Sequence, residues 1–239
     1  MHKKLKSFWS QYNFIVIFLG IFLVYLAING SQTTWTSVTN IFLHSAILGT
    51  IALGMGMIIL TGDIDLSVGS SFVLAGGLTI LFFNKVNSIF LALVMAVVLG
   101  AVFGLMNGIL VGKLRMPAFI VTLATMLIYR SISQYMMNEL GQTRYSVDAS
   151  LSKYQALFKF GNGNFLTISY IALVFLIIAL LLIYVTTSTK YGKRVYALGS
   201  NEKAALLAGV NVVWTRISVF VLCGACTGLA TFLKIAKDT

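Results

Sequence analysis

Apolar residues run along this chain in blocks of about twenty, separated by short polar stretches, with no alternation of polar and apolar positions inside a block. A half-buried strand would alternate, and a helix of a soluble domain would keep a polar face. The pattern predicts transmembrane helices at 14–28, 41–60, 68–83, 88–111, 117–137, 165–185 and 217–235. Only helices and closed barrels satisfy every backbone group in lipid, and non-alternating blocks are helical. The fold class expected is therefore all-α: a polytopic transmembrane helix bundle of about seven spans, read as one transmembrane domain over 1–239. The head "MHKKLKSFWSQYN" resembles the charged start of a signal peptide, but no small-residue cleavage site precedes Asn29, so a retained first helix is expected.

Composition strengthens this. The 239 residues are 59% hydrophobic and 10% charged, against about 25% charged in soluble domains. The net charge of +11 would suit nucleic acid, but in a membrane chain basic residues collect on the cytoplasmic side. No nucleic-acid partner is expected; the partner is the bilayer. With the N-terminus inside, ten basic residues fall on inner segments: Lys3, Lys4, Lys6, Lys113, Arg115, Lys190, Lys193, Arg194, Lys203 and Arg216. Six fall outside: Lys85, Arg144, Lys153, Lys159, Lys234 and Lys237. Arg130 lies within a span. If 41–83 crossed only once, the basic loop 186–216 would face out. Residues 41–83 must cross twice, with "TGDIDLS" as the turn.

That turn belongs to "ILTGDIDLSVGS", residues 59–70, which holds Asp63 and Asp65, two of the chain's six acids. The block 68–83 spans about 24 Å against a hydrocarbon core of about 30 Å. Either the helix is short and the turn is drawn into the protein, or "TGD" is itself unwound. Gly62 and Gly69 permit irregular backbone, and ionisable groups at membrane depth are usually functional. Asp65 or Ser67 could equally cap the next helix, and a cap can hold a broken helix open. The expected site is Gly62, Asp63, Asp65, Ser67 and Gly69.

Other features suggest packing. Gly100, Gly104, Gly108 and Gly112 recur every fourth residue and form a small-residue stripe for close helix approach. Cys223 and Cys226 lack companion ligands and read as small buried residues; no metal site is expected. Arg130 suits snorkelling, and His44 alone supports no mechanism. The loop "TSTKYGKRVYALGSNEKAALLAGVNVVWTR" is different. Ser200 or Asn201 offers an N-cap, Gly209 a stop, and about two helical turns lie between. A helix this short needs a surface to pack on. It could lie on the membrane or the protein's own inner face, or dock a cytoplasmic partner.

These residues resemble a known family. "GMGMIILTGDIDLSVGS" is similar to the signature of permease subunits of bacterial ATP-binding-cassette importers for monosaccharides of the ribose, xylose, arabinose and galactose type. Gly62, Ile64, Asp65, Leu66, Ser67 and Gly69 match, and Asp63 falls on a variable position. "RMPAFIVTLATMLIYRS" resembles the family's following helix. "YGKRVYALGSNEKAALLAGVNV" resembles its cytoplasmic loop, and residues 186–216 would be the ATPase-docking loop. The matching loop residues are Gly192, Arg194, Ala197, Gly199, Asn201, Glu202, Ala204 and Gly209, with Ala205 on the docking side. The resemblance covers residues 41 to 235 and implies a permease of the bacterial cytoplasmic (inner) membrane, N-terminus cytoplasmic. Its partners would be a cytoplasmic ATP-binding subunit, an extracytoplasmic sugar-binding protein and a second permease subunit. This chain would bind no cofactor and be no enzyme, with ATP used by the partner; no G-x-x-x-x-G-K-[ST] loop occurs here. Family members are longer, so a chain incomplete at its C-terminus is expected. An ion-coupled secondary transporter with an Asp at a broken helix and a permease for another small solute, such as an amino acid, are the alternatives. An intramembrane aspartyl protease is excluded, because Asp63 and Asp65 are two residues apart rather than on facing helices.

Overall fold

Long apolar blocks without internal proline propagate as helices, and polar capping residues stop them. The computed structural model describes residues 2–30, 34–140, 145–165 and 168–239; Arg144, counted above among outer charges, lies outside the described residues. The helices are α1 (His2–Asn29), α2 (Trp35–Leu60), α3 (Val68–Val86), α4 (Ile89–Gly108), α5 (Ala118–Glu139), α6 (Tyr154–Asn162), α7 (Tyr170–Ser188), α8 (Lys190–Ser200), α9 (Glu202–Leu207) and α10 (Val212–Asp238). A π-helical turn, Ile109–Lys113, continues α4. Two short strands, β1 (Asn164–Phe165) and β2 (Ile168–Ser169), pair antiparallel before α7. The chain divides into two units, Met1–Phe42 and Leu43–Thr239.

The all-α expectation holds. Among the described residues, α1, α2, α3, α4 with its π-turn, α7 and α10 are long and apolar enough to cross a membrane. At 22 residues, or about 33 Å, α5 has the length of a span. It falls short in apolarity because it carries Thr122, Thr125, Arg130, Ser131, Ser133 and Gln134.

Several boundaries move. The expected 68–83 segment runs to Val86 and is 19 residues long, about 28 Å. The helix is not short, so its length is no reason to draw the turn inward. It stops at Asn87, whose left-handed φ of 51° ends the helix. The expected 165–185 span starts at Tyr170, where the Ser169 hydroxyl accepts the backbone N–H of Ala172. The expected 217–235 span starts at Val212, where Asn211 Oδ1 accepts the N–H of Trp214 at 3.0 Å.

The glycine stripe meets α10. A Cβ at Gly100 would collide with the carbonyl oxygen of Gly224, and one at Gly104 with that of Phe220. At Gly108 a Cβ would lie 3.0 Å from Ile217 O, and at Gly112 3.0 Å from Ile217 Cγ1. The contact is reciprocal, since Gly228 leaves no room for a Cβ beside Ala96 O. Cys223 and Cys226 are buried against Gly54 of α2; they serve as small residues where α2 and α10 touch.

Within Leu43–Thr239 one end is tied by side chains of Asn84 and Asn87. Asn84 Nδ2 donates to Ser146 O (3.1 Å), and its Oδ1 accepts the N–H of Asp148 (3.0 Å). Asn87 Nδ2 donates to Ser152 Oγ at 2.8 Å, and Lys237 Nζ to Asn162 Oδ1 at 2.7 Å. The ends of α3 and α10 and the stretch 145–162 therefore lie together.

Candidate functional site

At the other end the signature turn lies between α2 and α3. After Leu60 the chain leaves the helix through Gly62, whose φ of +82° suits glycine. Residues 63–65 are non-helical, and α3 begins at Val68. Asp65 is 5% exposed. Its Oδ1 accepts the Ser67 N–H (2.8 Å) and hydroxyl (2.6 Å). From α4, Asn107 Nδ2 donates to Ser67 Oγ (2.8 Å) and to Asp65 Oδ2 (3.3 Å). Burial pushes the Asp65 carboxyl above the usual range, while the bonds from Ser67 and Asn107 pull it back.

This geometry corrects two expectations. Ser67 occupies the cap position of α3, but its side chain caps nothing, and Asp65 bonds Ser67 itself rather than the N–H groups of α3. Asp65 makes a local turn that sets the entry of α3. Gly69 lies in the first turn of α3 with open space where a Cβ would stand, so it supplies no irregular backbone.

Asp63 is tied across the fold. Arg216, in the first turns of α10, donates from Nε to Asp63 Oδ2 at 2.8 Å and from Nη2 to Glu202 Oε2 at 3.0 Å. Glu202 opens α9, which Asn201 caps by accepting the Ala204 N–H at 3.0 Å. Gly209, at φ +79°, follows the end of α9, as the sequence suggested for both residues. Gly199 of α8 sits so close to α2 that a Cβ would collide with Leu60 O. Gly192 is packed as tightly on Thr186 O. The two motifs far apart in sequence, 59–70 and 186–216, thus meet through Gly199 and Arg216.

The loop residues divide by face. Ala205 is 3% exposed and turned inward, whereas Leu206 is 60% and Leu207 90% exposed. Arg194 and Ala204 are exposed. The outward apolar surface of α9 is therefore Leu206 and Leu207, not Ala205. A cleft of about 380 Å³ beside it is lined by Arg115, Glu202, Leu206 and Arg216 among others.

Asn107, Tyr129 and Arg216 were missed in the sequence. Asn107 was legible as the lone amide of a long apolar run. The signal for Tyr129 was helical spacing: Thr122, Thr125, Tyr129 and Ser133 share one face of α5, and all are buried. Thr122 Oγ1 also reaches Ile64 O of the turn at 3.4 Å. Asn107 Oδ1, Tyr129 Oη, Ser133 Oγ and Thr79 Oγ1 are buried without a protein partner. Buried polar groups on α3, α4 and α5 thus extend from the turn, where Thr122 meets Ile64, to Ser133, whose carbonyl oxygen accepts the Tyr145 hydroxyl at 3.0 Å. Among the described residues no cluster of His, Cys, Asp and Glu could hold a metal.

Residues 37–237 match the family described as "Branched-chain amino acid transport system / permease component". The ribose import permease protein RbsC of Bacillus subtilis is 36% identical over 89% of this chain and 65% of its own length. The L-arabinose transport system permease protein AraH of Escherichia coli is 34% identical over 97% of this chain and 68% of its own. The D-allose transport system permease protein AlsC of Escherichia coli is 30% identical over 96% and 69%. The chain thus spans about two thirds of the length of these curated relatives. No solved structure is significantly similar to it. With all but its first 36 and last two residues inside the match, the chain belongs to this family of transport-system permease components.

Proposed function

We propose that the chain is the membrane permease component of an ATP-driven importer that moves a monosaccharide or related polyol across the bacterial cytoplasmic membrane. The relatives named for ribose, arabinose and allose support the substrate class. The observation that carries the mechanism is Arg216, which holds Asp63 of the signature turn and Glu202 of α9 at once. A cytoplasmic ATPase subunit seats on Leu206 and Leu207. Closure of the ATPase pair displaces α9, and the Glu202–Arg216–Asp63 chain passes that displacement to the foot of α10 and to the turn where α2 and α3 pivot. A binding protein delivers the sugar at the opposite end. A second permease subunit completes the pathway, which holds sugar weakly because a tight site would not release it. This chain supplies no catalytic group; ATP is hydrolysed in the partner.

Reconstitution with the ATPase and binding protein in sealed vesicles tests this. Sugar uptake should require ATP on the α9 side and survive a protonophore. Leu207→Glu should leave membrane insertion intact, reduce recovery of the ATPase subunit and stop uptake. Uptake that persists without ATP and fails with the proton gradient would establish a secondary transporter instead.

A further inference from the structure

A second cleft opens on the outer surface of the bundle at the Arg216 end, between α4, α7, α8 and α10. Its lining includes Leu105, Val185, Tyr191, Trp214, Ile217 and Leu222, and its volume is about 590 Å³. Its hydroxyls are already engaged. Tyr191 Oη and Ser218 Oγ are 2.9 Å apart, and Thr189 Oγ1 donates to Val185 O. A sugar would find no free polar partner here, whereas a hydrocarbon chain needs none. Trp214 is 66% exposed in the first turn of α10, the place an indole takes at headgroup level. Lys190 begins α8 directly before Tyr191, and Lys113 closes the π-turn that continues α4 past Leu105. Both are exposed, and neither enters an ion pair among the described residues. Of the three carboxylates at this end, Asp63 and Glu202 are engaged by Arg216, and Asp65 is buried against Ser67 and Asn107. The cleft is thus apolar inside; Lys190 stands in sequence between its lining residues Thr189 and Tyr191, and Lys113 follows Gly112, which packs on Ile217 of the lining.

We propose that this cleft binds an acyl chain of an anionic phospholipid, with its headgroup at the level of Lys113, Lys190 and Trp214. The test uses the whole chain with Trp9→Phe and Trp35→Phe, so that Trp214 is the sole indole, in phosphatidylcholine vesicles. Dibrominated phosphatidylglycerol and dibrominated phosphatidylcholine are compared as contact quenchers of its fluorescence. The anionic lipid should quench at a mole fraction at least about fivefold lower. Lys113→Gln with Lys190→Gln should abolish that preference, and Lys113→Glu with Lys190→Glu should leave the anionic lipid the weaker quencher. Lys193→Gln with Lys203→Gln, which removes two cations outside the cleft, should leave the preference intact. Equal quenching by both lipids would reduce the cleft to ordinary lipid contact and overturn the proposal. So would absence of quenching by either lipid, which would mean that protein, such as a second copy, covers the cleft. A preference lost equally in the Lys193/Lys203 pair would also overturn it, because the preference would then reflect net charge alone.

Discussion

Arg216 has the most to lose at the scale of single residues. Its guanidinium serves two carboxylates through two nitrogens, Nε to Asp63 and Nη2 to Glu202, where a lysine offers a single ammonium. The Asp63 side chain is 15% exposed and that of Glu202 52%, so the first pair carries most of the energy and the second is largely screened. Arg216→Gln should lower stability by about 2 kcal/mol, with most of the loss absent in an Asp63→Asn background. Denaturant titration of the four proteins of that cycle, in detergent, measures the coupling. Glu202→Gln should cost under about 1 kcal/mol. Additive losses from Arg216→Gln and Asp63→Asn would mean the contact couples nothing. Asp65 acts differently, as an acceptor for Ser67 rather than as a counter-ion. Asp65→Asn keeps an oxygen for the Ser67 N–H and should retain part of the uptake of an assembled transporter. Asp65→Leu leaves that N–H and the Asn107 amide short of an acceptor, at about 1–3 kcal/mol, and should fail in assembly or transport. Equal and complete loss in both, at normal protein level, would instead identify a charge that must titrate during transport.

Between elements, the seam of α4 and α10 sets the spacing of the bundle. The glycine stripe was readable because a four-residue repeat of the smallest side chain can only mark one helix face. Its partner was not readable, since Gly224 and Gly228 are scattered among other small residues and nothing local pairs them with Gly100. Gly100→Ala and Gly104→Ala should each destabilise by about 1–3 kcal/mol through overpacking on a backbone that cannot yield. Gly56→Ala, where a Cβ meets open space, should be neutral or stabilising by up to about 1 kcal/mol. Thermal midpoints in detergent separate the two outcomes, and equal effects would mean the stripe packs on nothing. The same division applies to the site. The short helix α9, its Asn201 cap and Gly209 followed from local chemistry, as did the break at Gly62. The meeting of Asp63 with Arg216 spans 153 positions of sequence, and only tertiary packing sets it. The inward turn of Ala205 was misread because Ala204, Ala205, Leu206 and Leu207 follow one another in α9, and four small or apolar residues in a row do not say which of them faces inward.

At the scale of the whole molecule, contacts between distant segments constrain the topology. Asp63 and Arg216 touch, so they lie on one side of the membrane. An even number of crossings must separate them. Between them α3, α4 and α7 are apolar enough to cross, and that is three. The helices α6, α8 and α9, at 9, 11 and 6 residues, are too short, since a span takes about 20. We infer that α5 is the fourth crossing, despite its weak apolarity. Its buried face carries Thr122, Thr125, Tyr129 and Ser133, so its polar groups are spent on protein, and its exposed face keeps Phe119, Ile120, Leu123, Leu127, Ile128 and Ile132. Hydropathy averages over both faces and so misses it. The contacts of Asn84 and Asn87 with the stretch 145–153 demand the same parity, because α4 and α5 separate them. Single cysteines at Lys113, Lys153 and Lys193, in a background with Cys223→Ala and Cys226→Ala, test this with a membrane-impermeant thiol reagent on intact cells. Lys153→Cys should label from outside. Lys113→Cys and Lys193→Cys should label only after the membrane is opened, as the excess of basic residues on their side requires. If Lys113→Cys and Lys153→Cys label from the same side, α5 does not cross, and the contact between Asp63 and Arg216 could not form in a membrane.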